Sequence, residues 1–199
     1  MEPVTLSTER LLLRPVGPQD ADAAYAACQD PEIQRWTTVP SPYLRAHAEA
    51  FTATYGPNGW RDDSDYTFAV RLRETSLTTG TAAEGALVAM VSVTRRGDGV
   101  AELGFWAAKE HRGRGLMTEA SVAAARWAFA AVGVERLEWR AEVGNAASRA
   151  VAEKVGFTME GTLRASLVHG GSRRDGWIGS LLPSDLNLPT ARAYLPARG

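Results

Sequence analysis

Cysteine is nearly absent from this 199-residue chain: Cys28 stands alone, which excludes a disulfide within the chain and any cysteine-cluster metal site. Histidine is sparse, and His47, His111 and His169 lack the spacing of a ligand set, so no metal is expected. Lysine occurs only at Lys109 and Lys154 against twenty arginines, a bias that reads as coding composition. No apolar run approaches the ~18 residues of a membrane span, and none follows a basic start, so neither a span nor a signal peptide is expected. These absences suit a cytoplasmic protein. The net charge of -1 and pI near 6.3 exclude a general pull toward nucleic acid or membrane, so any anion binding must be local. With 45% apolar and 23% charged residues, the chain suits one globular domain with a sizeable core, placed at 5–183 with a tail over 184–199.

What is present is an alternation of β-patterned and helical segments. Thr8 to Pro15 reads as an opening strand, and Pro18-Gln19-Asp20 as the start of a helix that Asp30-Pro31 closes. The spacing of Leu44, Ala48, Phe51 and Tyr55 predicts a helix from Ser41-Pro42 to Tyr55, ended by Gly56-Pro57-Asn58-Gly59. Tyr66 to Leu72 and Ala86 to Thr94 read as antiparallel strands. Glu74 to Gly85 between them reads as a mobile Thr/Ala/Gly loop, with a lid over substrate as the alternative. Arg96-Gly97-Asp98-Gly99 predicts a hairpin into a strand over Val100 to Trp106. Leu116, Ala120, Ala123, Ala124, Trp127 and Ala131 then share one helical face, and Gly133 caps that helix. A strand over Glu135 to Ala141, a helix over Asn145 to Val155 closed by Gly156, and strands over Thr158 to His169 and Arg173 to Leu182 complete the reading.

The richest stretch is Ala101 to Ala120, where a strand passes through Arg112-Gly113-Arg114-Gly115 into an alanine-rich helix. Such a turn aims backbone N–H groups and the positive end of a helix dipole at one point, which favours phosphate. The plainer reading of the turn by itself is a flexible basic loop. An ATP site is disfavoured, because the Gly-Lys-Ser/Thr signature and paired acidic residues for magnesium are missing.

Glu102-Leu103-Gly104-Phe105-Trp106, His111-Arg112-Gly113-Arg114-Gly115, Thr118-Glu119-Ala120, Asn145-Ala146-Ala147-Ser148, Glu153-Lys154-Val155-Gly156-Phe157, Glu160-Gly161 and Leu163-Arg164 occur in order. Together with Thr8 to Arg14 they resemble the GNAT superfamily of N-acetyltransferases, and more closely its RimJ/RimL branch, whose members acetylate the N-termini of ribosomal proteins. The resemblance covers about residues 5 to 183. It implies an α+β fold: a mostly antiparallel, seven-stranded mixed sheet with helices on both faces. A V-shaped splay would part the strand ending near Trp106 from the strand starting near Glu135. The pantetheine arm of acetyl-CoA would lie there against Phe105, Trp106 and Ala107, as a cofactor form of strand addition. Its diphosphate would rest on the amides of Arg112, Gly113, Arg114, Gly115, Leu116, Met117 and Thr118, with the Arg112 or Arg114 side chain also reaching phosphate. Met117 departs from the family's Gly or Ala at that place, which puts the seating of the diphosphate in doubt.

Acyl transfer needs a neutral amine, a polarised carbonyl and a proton for the thiolate. Alternation sets Glu102 beside the splay, where it is the expected base, its pKa raised by the cover of Trp106; the alternative is an ion pair with an arginine on a neighbouring strand. The resemblance gives Asn145 a hydrogen bond to the pantetheine arm and Ser148 the role of proton donor at the sulfur, the alternative being a plain helix cap and a solvated hydroxyl. Many family members use a tyrosine, but Ala152 stands at that place. Trp36, Tyr43, Trp60, His169 and Asp175 are candidate acceptor contacts, with packing or exposure as the competing reading for the aromatics and His169. His111 and His47 read as solvated. Direct attack is expected, because Cys28 lies far from the motifs. The acceptor is a protein N-terminus or a small-molecule amine, the enzyme a monomer or homodimer, and no metal is implied. Two alternatives stand: a non-catalytic acyl-CoA sensor, and a donor such as succinyl-CoA.

Overall fold

The structure, a computed structural model, describes residues 1–75 and 82–197. Its strands are β1 (Leu6–Ser7), β2 (Leu11–Pro15), β3 (Asp65–Thr75), β4 (Ala82–Gly97), β5 (Val100–Ala107), β6 (Arg136–Glu142), β7 (Thr158–His169) and β8 (Ser172–Leu181). Its helices are α1 (Ala21–Ala27), α2 (Pro31–Trp36), α3 (Arg45–Ala50), α4 (Gly56–Arg61), α5 (Leu116–Trp127) and α6 (Ala146–Val155). The strands form one sheet in the order β1-β2-β3-β4-β5-β6-β8-β7, antiparallel at every junction except β5–β6. The expected mixed sheet is therefore present with eight strands rather than seven, because the opening segment bends after Ser7 and Leu6–Ser7 folds back onto Leu12 and Leu13.

Alternation along the strands builds two faces. Tyr66, Phe68 and Val70 of β3, Val91 and Val93 of β4, Leu103 of β5, and Leu137 and Trp139 of β6 join one apolar core with Leu116, Ala120, Ala124 and Trp127 of α5 and Val155 of α6. Trp127 anchors α5 there: its ring centroid lies 5.5 Å from Trp60 and 5.1 Å from both Tyr66 and Phe68. Such pairs each contribute about 1 kcal/mol beyond area burial. On the opposite face Ala69 and Met90 pack with Ala24 of α1, and Trp106 reaches both this cluster and the one formed by Cys28, Ile33, Tyr43 and Ala48. Helices thus cover both faces.

Several boundaries differ from the sequence reading, each for a local reason. Asp30-Pro31 opens a helix instead of closing one: the Asp30 side chain accepts from the Glu32 amide and Pro31 occupies the first turn. The segment Gly56-Pro57-Asn58-Gly59 does not end the second predicted helix either. A π-helical turn over Phe51–Tyr55 carries it into α4, with Pro57 in the first turn. Gly56 and Gly59 serve close approach: an added Cβ would collide with Val16 Cγ1 and with the Asp65 carbonyl oxygen, respectively. A second π-helical turn, Ala128–Val132, rotates the end of the α5 segment, so Ala131 is exposed instead of continuing the buried face. The loop expected at 74–85 is strand at its flanks, as β3 runs to Thr75 and β4 starts at Ala82. Residues 76–81, and with them the lid, lie outside the described residues. Leu186, in the segment read as tail, is buried in the core.

Asp20 ties the α1 layer to the sheet. Its carboxylate is fully buried, held by Arg14 at 2.7 and 2.9 Å, by Arg71 at 2.7 Å and by the Gly17 amide at 3.0 Å. Burial opposes its ionisation, but these hydrogen bonds outweigh that and hold its pKa below the ordinary carboxylate value. A depressed folded-state pKa gives stability that is present above the unfolded value of about 4 and lost as pH falls through the folded one. Asp20→Asn is expected to lower unfolding free energy by about 3 kcal/mol at pH 7, by removing the buried charge shared by two mostly buried guanidinium groups, which then keep Glu84 as their carboxylate partner. Denaturant titrations at pH 7 and pH 3 check this, since the gap between variant and parent should shrink as the parent's own carboxylate protonates.

Candidate active site

The site begins where β5 and β6 part. They pair in parallel only at Val100–Arg136, Ala101–Leu137 and Glu102–Glu138. Beyond that rung β5 continues to Ala107 with β4 on one edge, and among the described residues no strand takes the other. Alternate residues of an antiparallel ladder aim both N–H and C=O at that open edge. Phe105, Trp106 and Ala107 all lie on this stretch. Phe105 packs on the α5 side and Trp106 on the α1 side, so both walls of the gap are fixed.

At the wide end of the gap, Ala108 to Gly115 turns the chain into α5. Gly113 and Gly115 both sit at φ +74, the left-handed region where a side chain is strained. That geometry leaves the amides of Gly113, Arg114, Gly115, Leu116, Met117 and Thr118 without an acceptor among the described residues. A run of free amides at a helix start, with no carboxylate pointed at them, has the chemistry of an anion cradle. The Arg112 side chain is otherwise engaged. It donates to the Ala107 carbonyl at 2.9 and 3.0 Å, and its Nη2 makes an ion contact of 2.5 Å with Asp30 that is not aligned as a hydrogen bond. Arg114 is exposed and, among the described residues, its side chain meets only His111 Nδ1, at 3.2 Å. Met117, the departure from the family pattern, turns inward: it is 8% exposed, with Ser121 Oγ 3.5 Å from its sulfur. Its backbone amide is the part it presents to the turn.

The start of α6 faces the gap from the β6 side. Asn145 Oδ1 accepts from the Ser148 amide at 3.1 Å, a helix cap that occupies the oxygen and leaves the amide nitrogen free to donate. Ser148 is not simply solvated, because Trp139 Nε1 donates to its Oγ at 3.0 Å. An indole N–H can only donate, so Ser148 must accept there, and its own proton remains available to another acceptor. Ala152 is fully buried and offers the cleft no hydroxyl.

At the narrow end, Glu102 is a quarter exposed and lies 2.9 Å from Arg96 Nη2 on β4, which is the ion pair weighed as the alternative to a base. Trp106 shares its strand face four residues on but packs among the helices, so it does not cover the carboxylate. Glu138 stands across the last rung and pairs with Arg136 and Arg140. Arg96, Glu102, Glu138 and Arg140, with Gly97, Asp98 and Val100, line an open cavity of about 530 Å³.

The five candidate acceptor contacts separate. Trp60 is 2% exposed in the α5-side core, its indole N–H satisfied by the Thr67 carbonyl at 3.0 Å, so it is a packing residue. Tyr43 is 6% exposed between helices, and burial, aided by Cys28, pushes its hydroxyl up to about 12. Asp175 braces the terminal hairpin by accepting from the Ala165 amide at 2.8 Å. Trp36 and His169 do come together. The Trp36 ring lies against Gly144, beside Asn145, with Arg35 stacked 4.2 Å from its centroid. Arg35 grips Glu142 at 2.7 and 2.9 Å, and His169 Nδ1 lies 3.6 Å from the same carboxylate. Arg35, ahead of burial, sets the balance that lowers the Glu142 pKa. His47 caps α3 by accepting from the Leu44 amide at 3.1 Å, so it too is engaged. Cys28 is 1% exposed and burial pushes its thiol up to about 12, which disqualifies it as a nucleophile.

Sequence reasoning missed Glu119, Arg35 and Glu142. Glu119 accepts from the Thr8 hydroxyl at 2.5 Å, the Arg10 amide at 3.1 Å and Arg10 Nε at 2.7 Å. Burial works against its ionisation, but these donors prevail and lower its pKa. The motifs around Thr8 and Glu119 were visible separately; nothing local links residues 111 apart.

Residues 10–158 match the family described as acetyltransferase (GNAT) domain. YdaF of Bacillus subtilis, whose given name proposes a ribosomal N-acetyltransferase, is 38% identical over 98 residues, 46% of this chain. The match spans about half of that relative's length, 51%. YoaA of the same organism, named an uncharacterized N-acetyltransferase, is 27% identical over 170 residues, 85% of this chain and 92% of its own. The solved structure of Mycobacterium smegmatis RimJ in complex with CoA-disulfide superposes with a TM-score of 0.72 at 23% identity, over 94% of this chain and 92% of that one, a likeness of fold.

The inward course of Met117 carries a test. Met117→Ala should cost about 2 kcal/mol of stability by opening the core, read from denaturant titration of the variant and the parent.

Proposed function

The chain belongs to the family of GNAT-domain acetyltransferases, and from that premise we propose that it transfers an acetyl group from acetyl-CoA to a primary amine by direct attack. The observation that carries this reading is the parting of β5 from β6 beyond Glu102, with the free amides at 113–118 at the wide end of the gap. An arm bearing amides finds hydrogen-bonding partners along the open β5 edge, and a diphosphate finds donors at the turn. Phe105, Trp106, Ala107 and Asn145 would hold the arm; Gly113 to Thr118 would hold the diphosphate, with Arg114 an exposed cation beside it. Acetyl-CoA supplies the activated acyl carbon.

The protein's own part is to manage two protons and one developing charge. Glu102, paired with Arg96 at the last shared rung, takes the amine proton directly or through water in the open cavity. Backbone amides near Phe105 to Ala107 polarise the carbonyl. Ser148, fixed as an acceptor by Trp139, directs its remaining proton to the departing sulfur. The acceptor we propose is the α-amine of a protein N-terminus, in the cytoplasm. The support is the given name of YdaF and the openness of the cavity at Glu102, which admits a chain as readily as a small molecule.

Thiol release from acetyl-CoA, measured against N-terminal peptides and small amines, tests the reading. Glu102→Gln should lower kcat about a hundredfold and Ser148→Ala about tenfold, with little change in the KM for acetyl-CoA. Turnover of Glu102→Gln at the parent rate would remove Glu102 from the chemistry. Tight CoA binding with no turnover on any amine would favour the sensor instead.

A further inference from the structure

The turn that presents the amides is held from outside the site. Arg10, in the bend between β1 and β2, donates through Nε to Glu119 Oε2 at 2.7 Å and places Nη2 2.6 Å from the same oxygen. Its third nitrogen, Nη1, donates to the backbone carbonyl of Arg114 at 3.0 Å. Glu119 is itself fixed by the Thr8 hydroxyl and the Arg10 amide. One planar guanidinium thus joins the first turn of α5 to the peptide that links Arg114 and Gly115.

That peptide is the weak point of the cradle. In a trans peptide the C=O and N–H point to opposite sides, so whichever way the Arg114 carbonyl faces, the Gly115 amide faces the other. Gly115, at φ +74, is the residue type that tolerates either sign of φ, so the peptide has little steric resistance to turning over. Turned over, it would aim a carbonyl oxygen at the anion and withdraw a donor. The bond from Arg10 to the Arg114 carbonyl opposes that rotation. It also neutralises Glu119, whose charge would otherwise stand one helical turn from a bound phosphate.

We propose that Arg10 and Glu119 are positioning residues for the donor, holding the Arg114–Gly115 peptide with its amide toward the diphosphate. The inference rests on the assignment of residues 113–118 to the diphosphate, so its test uses two donors: acetyl-CoA, and S-acetyl-pantetheine, which carries the same thioester without diphosphate or nucleotide. Steady-state kinetics of the parent, Arg10→Ala, Arg10→Lys and Glu119→Gln, each with its melting temperature, decide it. Arg10→Ala is expected to raise the KM for acetyl-CoA about tenfold, the scale of losing one charge-assisted hydrogen bond. Glu119→Gln should raise it less, because Arg10 keeps its bond to the turn. For S-acetyl-pantetheine, kcat and KM should be unchanged within about twofold in every variant. Arg10→Lys separates positioning from general stability: an ammonium can pair with Glu119 but lacks the fork to reach the Arg114 carbonyl as well. It should restore the melting temperature without restoring the KM for acetyl-CoA. Equal effects on both donors, full rescue by lysine, or an unchanged KM for acetyl-CoA in Arg10→Ala would each overturn the proposal. A parent enzyme that uses both donors with the same KM would instead remove the diphosphate assignment, and this inference with it.

Discussion

A single parallel junction three residues long governs the rest of this molecule. Had β5 and β6 stayed paired to Ala107 and Glu142, the sheet would be continuous and its centre would offer no free backbone. Because they separate after Glu102 and Glu138, a strand edge that would invite aggregation elsewhere is exposed inside a groove, between walls set by Phe105 on one face and Trp106 on the other. The separation cannot be a matter of weak local sequence, since β5 keeps its ladder with β4 through Ala89–Ala107. It follows from what each strand runs into. The end of β5 is tied to Arg112 and Asp30, and the end of β6 to Arg35 on α2.

The polar groups along that gap are arranged by interactions that restrict direction more than they add stability. Asn145 uses its oxygen for the cap and keeps its nitrogen free. Ser148 accepts from an indole that cannot accept in return, which assigns its proton outward. Gly113 and Gly115 leave amides bare, and Arg10 holds one of those peptides in place. In each case a neutral or charged partner outside the gap settles the polarity of a group inside it. The Arg35–Glu142–His169 cluster closes the far wall in the same manner, linking α2 to β6 and β7.

Local signals made much of this legible. The glycines at 133 and 156 stop helices in the left-handed region as expected, Asn145 caps α6, and the Arg-Gly-Arg-Gly turn does lie between β5 and α5. What stayed hidden depended on residues distant in sequence. Gly56-Pro57 looks like a terminator until Val16 and Asp65 are seen pressed against its glycines. Trp60 and Tyr43 share composition with cleft aromatics, and only the packing of Phe68 and Trp127, or of Cys28 and Ile33, shows that they are core. Glu102 is the contrary case: its partner Arg96 lies six residues away across a hairpin that the sequence signals, and an ion pair with a neighbouring arginine is among the expectations. Met117 breaks a pattern written in one dimension, while in three its side chain leaves the pattern's surface altogether.

The same dependence on distance revises the plainest reading of the composition. Twenty arginines against two lysines looks like a coding bias, yet many of those arginines bridge two separate acceptors. Arg14 spans Asp20 and Glu84, Arg71 spans Asp20 and the Gly85 carbonyl, Arg112 spans Asp30 and the Ala107 carbonyl, and Arg136 spans Glu138 and Glu160. A fork with five donors in one plane can hold a carboxylate with one arm and a strand end or turn with another; an ammonium holds one point. At the opening itself Arg112 is a bridge of this kind, tying the end of β5 to Asp30 at the start of α2.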